Sequence, residues 1–121
     1  MDYFELPRNR RFQVWNYSVS HSWLLLRSNK SDFVPTRIEI LFYDVAAMHL
    51  PTVIDDMIVG QEDATADSTT RLLAGLTTAW QPDIHRLFTL RGENCFAYVL
   101  AGGVECHEDF LSFSDPSHFS T

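Results

Sequence analysis

The stretch Phe12-Gln13-Val14-Trp15-Asn16-Tyr17-Ser18-Val19, followed after Ser20-His21-Ser22 by Trp23-Leu24-Leu25-Leu26, decides the fold class. A third apolar run, Arg37-Ile38-Glu39-Ile40-Leu41-Phe42-Tyr43, comes after a polar break. These runs are too short for helices of ordinary length and are rich in aromatic and β-branched residues, which is typical of strands. The stretch therefore predicts an antiparallel meander in which consecutive strands pair.

The spacing of the first two runs predicts their register. A two-residue turn at Ser20-His21 pairs Tyr17 with Leu24 and Trp15 with Leu26. Because alternate residues of a strand point to opposite faces, these four side chains share one face, which is the better candidate for the core. The other face is amphipathic, and we expect Trp23 to be only half covered there. Its members are Val14, Asn16, Ser18, Trp23, Leu25 and Arg27.

The third run alternates in the same way, with Ile38, Ile40 and Phe42 on one side and Arg37, Glu39 and Tyr43 on the other. Asp44 marks a bend after it.

The C-terminal third also predicts strands. Residues 84–91 and 95–101 form a pair around Gly92, and Gly102-Gly103 predicts a hairpin turn that sets Ala101 opposite Val104. A stripe of leucines predicts a helix over 68–80. The chain as a whole, 1–121, is expected to form a single mainly β domain (α+β possible) with at most one or two short helices. About seven or eight antiparallel strands would form a curled sheet, a partly open barrel or a sandwich.

Composition bounds the function. The net charge of −7 argues against nucleic acid as a partner, because affinity for a phosphate backbone depends on cationic contacts. Since no apolar run approaches the ~20 residues that span a bilayer, we expect no membrane partner. The acidic N-terminus lacks the features of a signal peptide, and two cysteines do not make a disulfide framework. These features predict a cytoplasmic protein.

Two sequence motifs invite a catalytic interpretation, and neither has the spacing of a known site. Ser20-His21-Ser22 lies at a predicted turn, where we expect the hydroxyls to bond nearby backbone groups. In Cys106-His107-Glu108-Asp109 adjacent side chains point to opposite faces, which leaves His107 and Asp109, with His85 from a neighbouring strand, as a possible metal set. We predict no catalytic residues, no metal and no cofactor, and therefore no enzyme.

The aromatic residues exceed what one small core requires. Trp23 beside Arg27 has the makeup of a protein interface, and Tyr43 lies on a comparable outer face. The acidic pair Asp55-Asp56 could contact a basic partner. We therefore predict partner or ligand binding at Trp23, Arg27, Tyr43, Asp55 and Asp56.

Residues 18–28 and Tyr98-Val99-Leu100-Ala101-Gly102, followed by His107-Glu108-Asp109, resemble small uncharacterised bacterial proteins. Small acidic immunity proteins, which neutralise a toxin by binding it, are similar in size and charge. The resemblance implies a non-enzymatic protein-interaction module. The acidic balance, the apolar excess and the absence of catalytic spacing favour the same class, an immunity- or inhibitor-type binder of a basic partner that can form a homodimer. The alternative is a β-barrel carrier of a small molecule, and the third interpretation is a small hydrolase or metalloenzyme.

Overall fold

The computed structural model describes residues 5–62, 81, 83–93 and 95–119. Within these ranges the chain forms nine strands and no helix, so the prediction of a mainly β fold is confirmed. The predicted helix over 68–80 lies outside the described residues. The strands are β1 Arg11–Ser18, β2 Trp23–Ser28, β3 Arg37–Tyr43, β4 Ala47–His49, β5 Val53–Asp55, β6 Ile58–Glu62, β7 Arg86–Arg91, β8 Phe96–Ala101 and β9 Gly103–Asp109.

Two antiparallel sheets contain these strands, and neither closes into a barrel. The five-stranded sheet has the order β5-β1-β2-β3-β9, and the four-stranded sheet has the order β4-β8-β7-β6. The described residues hold no helix that is long and apolar enough to cross a membrane.

The main core lies between the two sheets. Alternate residues of β2 and β3 point inward, and those of β7 and β8 meet them from the other sheet. The rings of Phe42 and Phe88 pack edge to face with centroids 5.5 Å apart. The buried members from these four strands are Leu24, Leu26, Ile38, Ile40, Phe42, Phe88, Leu90, Ala97, Val99 and Ala101.

The first hairpin confirms one predicted pair and corrects the other. Tyr17 pairs with Leu24, but Val14 instead of Trp15 pairs with Leu26. A β-bulge between Val14 and Asn16 adds one residue to β1, which reverses the facing of everything before it. Val14 therefore packs against the core, and Trp15 turns outward with 39% of its surface exposed.

The predicted hairpin at Gly102-Gly103 is wrong. β8 pairs with β4 and β7, whereas β9 pairs with β3, so Ala101 does not face Val104. Neither glycine has the positive φ that the tightest hairpin turns require. The chain instead crosses from one sheet to the other here. A Cβ at position 103 would overlap the Tyr43 hydroxyl, so any larger residue there requires the Tyr43 ring to move.

Aspartates end two of the strands. The predicted bend at Asp44 is confirmed, because this residue has a φ of 53° directly after β3. Asp56 has the same φ, between β5 and β6. Gly60 does not end its strand, because β6 continues to Glu62 and pairs Gly60 with Thr89 of β7.

Candidate functional site

The outer face of the five-stranded sheet carries an unusual set of buried charges. Arg27 of β2 is 2% exposed, and Arg37 and Glu39 of β3 are fully buried. They point away from the apolar core because they alternate with its residues along the two strands. What covers them is the segment after β9, residues 110–119, which we call the strap.

Arg27, Arg37, Glu39 and Asp109 form an ion cluster beneath the strap. The Arg27 guanidinium donates to Glu39 Oε2 from Nε at 3.1 Å and from Nη2 at 3.0 Å. Arg37 donates to both oxygens of Asp109, at 3.0 and 2.8 Å, and its Nη2 lies 3.6 Å from Glu39 Oε1. Two cations therefore face two anions, which is the balance that buried charges need.

The same cluster holds the strap in place. Arg37 Nη1 donates to three strap carbonyls, those of Ser112, Asp115 and Pro116, at 3.1–3.4 Å. Arg27 Nη1 donates to the Phe113 carbonyl at 3.2 Å. In return, the His118 backbone N–H donates to Glu39 Oε1 at 2.8 Å. The strap is thus attached through its own peptide groups to side chains of the sheet.

Two carboxylates at the strap are stabilised in their charged form. The hydrogen bonds from Arg37 hold the pKa of Asp109 below its usual value, and the Leu111 N–H lowers it further. The Ser112 N–H and hydroxyl lower the pKa of Asp115. Both groups are therefore anionic at neutral pH and support the attachment of the strap.

The far end of the strap meets the sheet through two stacked imidazoles. The rings of His107, on β9, and His118, on the strap, lie parallel with centroids 3.6 Å apart and planes 9° apart. His107 Nε2 is 3.3 Å from Asp109 Oδ2. Phe119 packs edge to face on His118 at 5.0 Å.

Beside this end of the strap lies a half-open pocket of about 250 Å³, which we call the strap pocket. Buried Leu25 and Leu41 line it together with Trp23, and polar groups join them. The ring of His21 lies 4.9 Å from that of Trp23. The strap contributes Ser117 and Phe119. The remaining lining residues are Asn16 and Ser18.

The hydroxyls at the β1–β2 turn do bond locally. Ser18 Oγ lies 3.0 Å and Ser20 Oγ 3.2 Å from the same atom, His21 Nδ1. Ser18 ends β1, and Ser20 and His21 lie in the turn that follows, in which Ser22 has a φ of 55°. The predicted turn is confirmed, but the two hydroxyls contact a ring nitrogen and not the backbone groups that we expected.

An aromatic patch lies farther along the same face. The Trp15 ring stacks on the Arg27 guanidinium, with Arg27 Cζ 4.1 Å from its centroid, a cation–π contact. Phe113, whose carbonyl binds the same guanidinium, exposes 65% of its surface. We define the aromatic patch as Trp15 and Phe113, two exposed aromatic residues that contact Arg27, one through its ring and the other through its carbonyl.

The predicted binding residues fall into separate places. Trp23 lines the strap pocket and Arg27 lies beneath the aromatic patch, so these two share the outer face. Tyr43 packs over Gly103 at the end of β3. At the edge of the sheet, Asp55 Oδ1 of β5 lies 2.8 Å from Arg11 Nε of the neighbouring strand β1. The next residue, Asp56, accepts a hydrogen bond from the Asn9 N–H. The hydrogen bond from Arg11 lowers the pKa of Asp55.

Sequence reasoning missed the residues that organise this face, above all Glu39, Arg37 and His118. A signal was present, because Arg37 and Glu39 interrupt an otherwise apolar strand and lie on the same side as Arg27. Nothing in the sequence indicated that a segment more than 70 residues away would cover them.

The possible metal set does not assemble in the part of the chain that the structure describes. His107 and Asp109 are neighbours, but His85 Nδ1 accepts a hydrogen bond from the Gln81 N–H at 3.0 Å. No group of three histidine, cysteine, aspartate or glutamate side chains among residues 5–62, 81, 83–93 and 95–119 could hold a metal ion.

Comparison with protein-family models, with curated proteins and with solved structures gives no match for this chain.

Proposed function

We propose that this protein is a non-enzymatic interaction module that binds a protein partner through the outer face of its five-stranded sheet. The observation that carries the proposal is the aromatic patch on the same face as the strap pocket. Aromatic residues are enriched at protein interfaces, and tryptophan is among the residues that dominate the binding energy there. The patch exposes one tryptophan and one phenylalanine, and the pocket on the same face could receive one anchoring side chain of the partner.

The patch is also held in a fixed geometry. Arg27 is locked by Glu39 and by the Phe113 carbonyl, and the Trp15 ring rests on its guanidinium. A surface that is already ordered loses little conformational entropy on binding. This favours recognition of a folded partner over a role for these rings in packing alone.

A basic partner fits the charge of the chain. The net charge is −7, and exposed Glu105 lies opposite Leu41, a residue of the pocket, in the β3–β9 register. Complementary charge speeds encounter and disfavours like-charged partners. An immunity- or inhibitor-type role is the specific form of this proposal, and a cytoplasmic setting is supported by two free thiols, Cys95 and Cys106.

Site-specific photo-crosslinking in the native cells tests the proposal. A benzophenone amino acid at position 113 should capture a basic protein, whereas the same probe at position 96 should capture none. Phe96 is a matched control because it is 51% exposed but lies on the four-stranded sheet. Capture of a second copy at position 113 would identify a homodimer instead. Equal capture at both positions, or none at 113, would contradict the proposal.

The second candidate function is the binding of a small molecule, and the strap pocket favours it. A concave, mainly apolar cavity with a few polar groups is the usual form of a ligand site, although about 250 Å³ is at the small end. A ligand that binds only the folded chain raises its melting temperature. Thermal-shift screening with small aromatic compounds should then give hits that Ser18→Phe, which fills the pocket, abolishes.

A further inference from the structure

The end of the strap rests on the sheet through a pair of imidazoles. The imidazoles of His107 and His118 are stacked face to face at 3.6 Å, and no covalent constraint holds them together, since they lie on different elements. Histidine is the side chain whose charge changes between about pH 5 and 8. The contact therefore has a strength that depends on pH.

The charges around the pair permit one proton but oppose two. Asp109 lies 3.3 Å from His107 Nε2 and favours a single imidazolium. Glu39 also faces the pair, through the His118 N–H, but it already faces Arg27 and Arg37. Arg37 in turn binds Asp109. Glu105, on the same face of β9, is exposed to solvent, and Asp115 is bound by the Ser112 N–H and hydroxyl.

A second proton would place two cations face to face. At this distance like charges repel by more than a typical stacking contact contributes, even with the screening of a protein surface. Separating the two rings removes this repulsion, so a doubly protonated pair favours the undocked strap. By linkage, docking weakens as pH falls through the range where a free imidazole is protonated, about 6.5 and below.

We propose that the stacked His107–His118 pair is a proton-sensitive latch that holds the end of the strap on the sheet at neutral pH and releases it on mild acidification. Release moves Ser117 and Phe119, two of the residues that wall the strap pocket. The latch therefore turns a half-enclosed pocket into an open groove on the outer face. The release is inferred from the geometry of the two histidines alone. A role for the release in controlling partner binding rests on the proposed function.

Amide hydrogen exchange of the strap tests the latch without any partner. The His118 N–H, which donates to Glu39 Oε1, reports docking directly. After correction for intrinsic exchange, its protection factor should fall by about tenfold or more between about pH 7.5 and pH 5, while amides of β2 and β3 keep theirs. The fall should be reversible when neutral pH is restored.

His118→Phe is the decisive variant, because it keeps a stacking ring but cannot gain a charge. The strap amides of this variant should stay protected from exchange at both pH values. His107→Gln removes the imidazole on the sheet, so protection of its strap should not change with pH. His49→Asn, on β4 of the four-stranded sheet, is the matched control and should respond like the wild type. Unchanged protection of the wild-type strap at the lower pH, or a loss in His118→Phe equal to that of the wild type, would overturn the latch. If the latch holds but photo-crosslinking at position 113 fails, only the proposed partner is refuted.

Discussion

The two faces of β2 and β3 are buried to the same degree by opposite means. The inner face is covered by the other sheet and is mainly apolar, with Leu24, Ile40 and Phe42 among its residues. The outer face is covered by ten residues of strap and contains Arg27, Arg37 and Glu39. One face is stabilised by shape and hydrophobic burial, which any apolar residue of similar size can supply. The other face is stable only while its charges balance, so the loss of any one of its charged side chains is destabilising.

The difference teaches that burial alone does not predict the effect of a mutation. On the inner face a substitution removes contacts in proportion to the atoms deleted. On the outer face it leaves another charge buried without its partner. We therefore expect the largest losses of stability from substitutions in the charged cluster and smaller ones from substitutions in the apolar core or at exposed ion pairs.

Glu39→Leu should be the most damaging single change. It removes the carboxylate that faces both arginines and accepts the His118 N–H, so two guanidiniums stay buried with one remaining anion. Breaking a buried ion pair in this way costs about 3–5 kcal/mol. Urea unfolding followed by far-UV circular dichroism measures the loss.

A quadruple variant provides the control for that experiment. Replacing Arg27, Glu39, Arg37 and Asp109 together by Met, Leu, Met and Asn removes the charges as a set, which is often neutral for stability. This variant should be more stable than Glu39→Leu alone. A single variant that unfolds within about 0.5 kcal/mol of the wild type would show that the cluster contributes little.

Asp109→Asn should have an intermediate and pH-dependent effect. Because Arg37 lowers the pKa of Asp109 in the folded chain, this carboxylate contributes stability above its unfolded pKa and loses it as pH falls. The wild type should exceed the variant by about 1–2 kcal/mol near neutral pH, since a partly exposed charged hydrogen bond is lost. Urea midpoints measured at several pH values should converge as pH falls through about 4. A constant difference at all pH values would contradict this account.

Ile40→Val should cost less and should not depend on pH. Ile40 is fully buried on the inner face, and deleting one methylene group there costs about 0.5–1.5 kcal/mol. The slope of the urea transition should stay unchanged, because the variant exposes the same surface on unfolding. A pH-dependent loss would mean that the two faces are coupled.

Arg11→Ala should have the smallest effect. The Arg11–Asp55 pair has the same 2.8 Å separation as Arg37–Asp109, but both of its side chains are well exposed to water. Solvent screens such pairs, so the thermal midpoint should not move measurably. A clear decrease would indicate that the β5 edge carries more stability than its exposure suggests.

The sequence predicts most of the fold because period-two alternation records which residues share a face. It identified the strands of β1, β2, β3, β7 and β8, the Tyr17–Leu24 register and the bend at Asp44. It failed where the outcome depends on distant partners. The bulge at Trp15 forms where Val14 joins the core and Trp15 meets Arg27, and β9 pairs with β3 across more than 60 residues.

The site was less predictable for the same reason. The sequence placed Trp23 and Arg27 on one face because they are an even number of residues apart on the same strand. The strap has no periodic pattern of its own, and its position is set by backbone carbonyls that every sequence possesses. Charges inside an apolar strand are the only local signal of such a covering segment, and they do not reveal which segment it is.

The crossing at Gly102 has a mechanical consequence. A single residue joins β8, in the middle of one layer, to β9, at the rim of the other, and its N–H also donates to the Tyr43 carbonyl at 2.9 Å. Because this connection is so short, tension applied to the C-terminal end is transmitted through β9 into an interior strand of the four-stranded sheet. We therefore expect the two sheets to unfold together under mechanical force, and not one after the other.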